Sequence, residues 1–247
     1  MIFSRNTAAI FKREFKSYFE SPVAYVFMVV FLILLGFLTF SFSHFYDRGI
    51  ADLEPFFFWH PWVYLLLVPA STMGLWAEEQ RQGTIELLFT MPVTMTEAVM
   101  GKFLAAWLFI ATTMALTIPV IVPTVCFLGN PDISVIVSGY IGSFLLAGAC
   151  VAIGMLTSAF TRNQVISFVL SLIFSLLLLL CGFDPVTSWF TGWAPQWMVN
   201  GIASMSLLPP FQSMYKGLLD ISGIAYYLSV MAFMIVATHL VLDNRKS

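Results

Sequence analysis

Long apolar runs alternate with short polar breaks along this chain. The runs cover about 23–43, 56–76, 94–126, 133–160, 165–182 and 221–242. Each is close to or above the ~20 residues that an α-helix needs to cross a bilayer core. The pattern predicts an all-α membrane protein with six transmembrane helices. The breaks carry helix signals of their own. Ser21-Pro22 separates the first run from residues 1–20, where Phe11, Phe15, Tyr18 and Phe19 fall at i, i+4, i+7 and i+8. That spacing gathers the aromatics on one face. With Arg5, Lys12, Arg13 and Lys16 among them, the segment reads as a basic amphipathic helix lying in the membrane interface. Thr94-Met95-Thr96-Glu97 reads as a capping box opening the third run, whose outer half Pro119 and Pro123 are placed to kink. Gly129-Asn130-Pro131-Asp132 is a tight turn. In the fourth run Gly139, Ser143 and Ala147 recur every four residues beside Ser138 and Gly142, a face that lets helices approach closely in lipid.

Residues 183–220 are too polar and proline-rich to span, yet they hold Trp189, Phe190, Trp193, Trp197, Phe211 and Tyr215. Aromatics at this density mark a membrane–water boundary, and they predict one or two short re-entrant helices, the second opening near Pro209-Pro210. Asp220 is placed to cap the last run. The break at 77–94 is unlike the others, because its second half is apolar. Ile85, Leu88 and Phe89 stand at i, i+3 and i+4 on one helix face, with Thr84 as N-cap and Glu86 at the positive end of the dipole. Pro92 closes the segment. Such a face in water needs a cover, either the membrane surface or another protein.

Composition agrees with a polytopic membrane protein. Of 247 residues, 60% are hydrophobic and 10% charged, against about 25% charged for a soluble domain. Mean hydropathy is +0.90. Net charge is −2, which gives no reason to expect nucleic acid; the placement of charge says more. With the N-terminus inside, Arg5, Lys12, Arg13, Lys16, Arg81, Lys102, Arg162, Arg245 and Lys246 face the cytoplasm, and only Arg48 and Lys216 do not. Nine of the 11 basic residues are therefore inside, with both termini cytoplasmic. Residues 23–43 are longer than a signal-peptide core, and no small-x-small site follows them. No repeat and no second domain are visible, so 1–247 reads as a single transmembrane domain.

Chemistry of its own is not expected of the chain. No G-x-x-x-x-G-K-[ST] loop is present; the one Gly-Lys pair, Gly101-Lys102, is followed by Phe103. No H-E-x-x-H occurs, and His44, His60 and His239 are scattered. Cys126, Cys150 and Cys181 have no metal-ligand spacing; packing is favoured over a Cys126–Cys181 disulfide. Glu78-Glu79 evokes the E-E-x-x-x-R of intramembrane CAAX-type proteases, but Arg81 comes two positions early and position 83 is glycine. Met91, Met95 and Met100 form no M-x-x-M cluster for copper. The apolar runs hold almost no ionisable side chains, which argues against a proton relay or a small cation as substrate.

One stretch carries a resemblance. Glu78-Glu79-x-Arg81-x-Gly83-Thr84-Ile85-Glu86-Leu87-Leu88-x-x-x-Pro92-Val93 resembles the first cytoplasmic loop of ABC-2 type permeases, particularly those of gliding motility and nitrous-oxide-reductase maturation. Phe211-x-x-x-x-Lys216-Gly217-Leu218-Leu219-Asp220, followed by Tyr226-Tyr227-Leu228-Ser229, is similar to that family's approach to its last span. Lys216 stands where the family more often has Arg, and Pro210 where it has His.

The resemblance implies a bacterial inner-membrane exporter subunit. In that family 77–93 is a coupling loop docked on a separate ABC ATPase. Ile85, Leu88 and Phe89 would be its buried contacts, with Leu87 and Pro92 inside the motif. Glu78, Glu79, Arg81 and Glu86 would make polar contacts, Gly83 the turn, and Thr84 the helix start. The structural alternative for Glu79 and Arg81 is a solvated pair at the membrane boundary. Residues 1–20 would be the connecting helix, with Phe11, Lys12, Arg13, Phe15, Lys16 and Phe19 at the interface. Residues 183–220 would be the extracytoplasmic re-entrant segment. Expected partners are two ATPase copies, a second permease chain (identical or paralogous), an extracytoplasmic accessory protein and the bilayer. The chain itself holds no cofactor; ATP and Mg belong to the ATPase. A mechanotransmission subunit on the same fold and an intramembrane enzyme stay open as other classes.

Overall fold

The computed structural model describes residues 4–43, 45, 52–86, 93–191 and 195–244. Helix α1 is Arg5–Glu20, capped by Ser4, whose hydroxyl accepts the Thr7 N–H. Ser21 does two things. Its N–H donates to the Tyr18 carbonyl and closes α1, and its hydroxyl accepts the Val23 N–H and opens α2, Pro22–Phe37. Pro22 sits in the first turn of α2, where a missing N–H costs nothing. A π-helical turn, Leu38–Phe42, prolongs α2.

The second apolar run is not one helix. It is split into α3 (Glu54–Phe58), α4 (His60–Thr72) and α5 (Gly74–Gln82), with breaks at Trp59 and Met73. Helix α5 continues to Gln82, so residues 77–82 are helical where the sequence suggested a loop. Gly83 ends it in the left-handed region, φ 71°, which favours a residue without Cβ.

Helix α6 is Met95–Ala115, and both halves of the predicted capping box between Thr94 and Glu97 are present. After a break at Leu116-Thr117 comes α7, Ile118–Leu128, with Pro119 in its first turn and Pro123 inside. Helix α8 is Ile133–Phe160, capped by Asp132, and α9 is Gln164–Leu180, capped by Asn163. Among the described residues, three short helices follow where one or two were predicted: α10 (Asp184–Thr191), α11 (Gln196–Ser204) and α12 (Leu208–Tyr215). Helix α12 has prolines in its first turn. Helix α13, Ile221–Asp243, is capped by Asp220 as expected. The described residues contain no strand.

Among the described residues, four helical stretches are long and apolar enough to cross a membrane: Pro22–Phe42, Met95–Leu128, Ile133–Phe160 and Ile221–Asp243. Gln164–Leu180 is a shorter apolar helix. Its 17 residues stand at the lower end of the range that spans.

The bundle is built around α8, which packs against α4, α5, α6, α9, α12 and α13. Residues 145–159 of α8 are buried without exception. The predicted small-residue face is at these joints. A Cβ on Gly139 would overlap the Phe57 ring, so glycine is what lets α3 lie against α8. Ser143 meets the Tyr64 hydroxyl of α4 at 2.8 Å. The three cysteines are free.

Candidate functional site

The predicted motif begins on α5, and three neighbours hold that helix. Ser158, at the end of α8, accepts the N–H groups of Trp76 and Ala77, both at 3.0 Å. Its own hydroxyl donates to the Met73 carbonyl at 2.8 Å. Backbone groups freed where α4 gives way to α5 are thus satisfied by a side chain from another helix, as low-dielectric surroundings require. One turn on, Gln80 donates to the Ala159 carbonyl at 3.0 Å. Glu78 accepts from Arg81 at 2.7 Å, from Gln82 at 2.5 Å and from Gln164 in the first turn of α9. The Arg81 hydrogen bond, ahead of the Gln82 bond and the Arg81 charge, holds the Glu78 carboxyl below its ordinary range despite some desolvation.

Glu79 points the other way, to Lys102. The Lys102 ammonium lies 2.8 Å from Glu79 Oε1 and 3.2 Å from Glu14 Oε2 of α1. It stands 5.3 Å from the centre of the Trp76 ring. The Lys102 side chain is only 4% exposed. A buried ammonium survives in such a place only with paired carboxylates around it, and here they come from two different helices. At Glu14 burial pushes the carboxyl pKa up, but the Lys102 and Arg13 charges and hydrogen bonds outweigh it and leave the pKa below its ordinary value. Arg81 and Glu79 are therefore not partners of one another: Arg81 is 63% exposed and pairs with Glu78.

Sequence reading missed Lys102 as a site residue. The signal was a lysine eight residues into a long apolar helix with no partner in its own neighbourhood.

Beyond Gly83, Thr84 to Glu86 form one helical turn. The Glu86 N–H donates to the Gly83 carbonyl at 3.4 Å. Thr84 lies inside this turn, and its hydroxyl reaches back to the Glu79 carbonyl at 3.4 Å, which couples the turn to α5. Ile85 is half-buried against the core, while Glu86 is exposed. Leu87, Leu88, Phe89 and Pro92 lie outside the described residues, so Ile85 alone of the predicted apolar face can be placed.

Helix α1 runs beside the first half of α6 in the same direction. Ser4 bonds Glu97, Ile10 fits over Gly101, where a Cβ would stand 2.7 Å from Ile10, Glu14 meets Lys102, and Tyr18 stacks on Phe109 at 4.6 Å. Phe11, Phe15 and Phe19 are half-buried and form a row: Phe11 stacks on Phe15 at 5.7 Å, and Phe19 meets Phe15 edge-on at 5.0 Å. Lys12, Arg13 and Lys16 stand on the exposed side. The aromatic face expected to rest on lipid is thus shared with α6, because Gly101 and Lys102 give α1 a closer and better-paired surface. A cavity of about 520 Å³ opens between α1, α2, α4, α5 and α6, with Glu14, Glu79 and Lys102 toward one side and Ala24, Phe27 and Phe109 among its apolar walls. Among the described residues no group of three His, Cys, Asp or Glu side chains is placed to hold a metal ion.

A family model described as ABC-2 family transporter protein matches residues 56–242. The chain belongs to the ABC-2 transporter family. The match starts at α3 and runs through α13, so it takes in Glu79, Lys102 and the segment after Gly83, but not α1. No curated protein matches the chain. Membership makes this a multi-pass membrane protein and the permease component of an ABC transporter. ABC-2 permeases work with an ABC ATPase subunit and are not themselves the catalyst.

Proposed function

We propose that the chain is the six-span permease subunit of a bacterial exporter in the cytoplasmic membrane, with both termini in the cytoplasm. The residues around Gly83 would be its contact with the ATPase. The observation that carries this reading is how α5 is held. Its end is tied to α8 through Ser158 and Gln80, to α9 through Glu78 and to α6 through Glu79. A force applied at Thr84–Glu86 therefore enters a braced helix, not a loose loop. In this reading residues 77–93 are the coupling loop. Gly83 turns the chain out of α5, and Ile85, Leu88 and Phe89 fill a groove on the ATPase. The four long helices, the shorter α9 and the segmented α3–α5 together make the six spans.

Two ATPase copies, carrying ATP and Mg, would close on one another and bias two permease chains between packed arrangements of rigid helices. The sequence motif favours the gliding-motility and nitrous-oxide-reductase-maturation branch of the family. Residues 183–220, with α10 to α12, would face the far side, where an accessory protein could meet them.

The test is Leu88→Asp, which puts a charge into the proposed buried face. The expected result is loss of the co-purifying ATPase and its activity, with the permease still inserted. Unchanged co-purification and hydrolysis would end this reading and return the 85–89 face to the membrane surface.

A further inference from the structure

We propose that Lys102 is a positioning residue that locks α1 and the Glu79 end of α5 to α6, so that the three helices move as one body. One ammonium, 4% exposed, is shared by carboxylates 2.8 and 3.2 Å away on two separate helices. Apolar contacts alone would let α1 slide along α6, since one methyl replaces another at little cost. A buried ammonium is different: withdrawing either carboxylate strands charge where water cannot follow. The Trp76 ring, 5.3 Å from Lys102 Nζ, adds a cation–π contact from α5 itself. Each end of the lock is reinforced nearby. Ser4 and Asn6 at the start of α1 reach Glu97 of α6, and Thr84 returns to the Glu79 carbonyl. Displacement of the turn after Gly83 is thereby passed to α1 and α6 together. The functional consequence rests on the coupling role proposed above; the lock is a property of this chain alone.

The experiment places spin labels at Lys12→Cys on α1 and Gln82→Cys at the end of α5, both exposed, with Cys126, Cys150 and Cys181 replaced by alanine. Distances are read by pulsed EPR in the purified complex, without nucleotide and trapped with ATP and vanadate. The otherwise native chain and Lys102→Arg should each give one narrow distance, unchanged between the two states. The triple variant Lys102→Met, Glu14→Gln, Glu79→Gln removes the ammonium and both its carboxylates and leaves no buried charge unpaired; Arg13, which also pairs with Glu14, is 58% exposed. It should lose the single narrow distance and shift with nucleotide. If the triple variant is not recovered folded, Glu14→Gln and Glu79→Gln measured separately each sever one arm, and each should broaden the distribution. A narrow, nucleotide-independent distance in these variants would overturn the lock, as would a broad one in the native chain. If no ATPase co-purifies with the unlabelled chain, the coupling reading falls, while the nucleotide-free comparison still decides the lock.

Discussion

Replacing Ser158 by alanine removes one oxygen from a residue that is 0% exposed, and three hydrogen bonds with it: two accepted from Trp76 and Ala77, one donated to Met73. Interhelical hydrogen bonds in membrane bundles average about 0.6 kcal/mol each, which gives about 2 kcal/mol for three. Stranding a buried amide costs about 1–3 kcal/mol, and two amides set the upper end at about 6 kcal/mol. Full burial argues against the lowest figure, and relaxation of the short α5 against the highest, so about 2–4 kcal/mol is expected. At roughly 2–4 °C per kcal/mol for a chain of this size, the midpoint in mild detergent should fall by about 4–16 °C.

The control is Ser171→Ala on α9. It also removes one buried hydroxyl oxygen, but one without a hydrogen-bond partner among the described residues. That variant should melt within a degree or two of the parent or above it, since a polar group without a partner is better replaced by an apolar one. Fluorescence-detected size exclusion over a temperature series reads both. Equal midpoints for the two variants would refute the assignment of Ser158 as the cap that lets α4 and α5 part at Met73.

The remaining expectations concern charge, packing and topology. Glu14, whose carboxyl pKa is held below 4.5, stabilises the fold where it is ionised in both states, above about pH 4.5, and that contribution fades as pH falls through the lowered folded value. Glu14→Gln should therefore melt lower than the parent at pH 7, by about 1–2 kcal/mol because Lys102 keeps Glu79, and the gap should close on acidification below about pH 4.5; a gap that widens there would contradict the pairing. Gly139→Ala should destabilise by about 1–3 kcal/mol through overpacking against Phe57, and Phe57→Leu in the same chain should restore part of it in the same melting assay. In a cysteine-free background, Lys12→Cys and Ser204→Cys should be labelled by an impermeant maleimide from opposite sides of sealed vesicles; labelling from one side would remove the six-span reading.

Caps and breaks that act within a few residues are legible in the sequence. Ser21-Pro22, the Thr94–Glu97 box and Asp220 all sit where local chemistry places them, because a cap needs only its own first turn. The second apolar run misleads for the opposite reason. Its hydropathy is continuous, yet the break at Met73 is stabilised by Ser158, 85 residues away, and no local signal reports that. The same holds for the end of α5. Glu78, Glu79 and Gln80 look like loop residues in isolation, and they remain helical because their partners wait at Gln164, Lys102 and Ala159. In the candidate site, hydrophobic spacing picks out the face of Ile85, of which the described residues include only that first member. It cannot pick out Lys102, whose role depends on two carboxylates from other helices.

The pairing of α1 with α6 also sets an order of events during synthesis. Ser4 and its partner Glu97 are 93 residues apart, so at about 5–20 residues per second the ribosome needs roughly 5–20 s to supply the helix on which α1 will rest. For that interval the row of Phe11, Phe15 and Phe19 has no protein surface to cover it. The lipid headgroup layer is the available alternative, and the basic side that carries Lys12, Arg13 and Lys16 suits it. On that expectation, interfacial residence and packing on α6 would be successive stations of the same helix. A substitution on its aromatic face acts on the route of assembly as well as on the finished bundle.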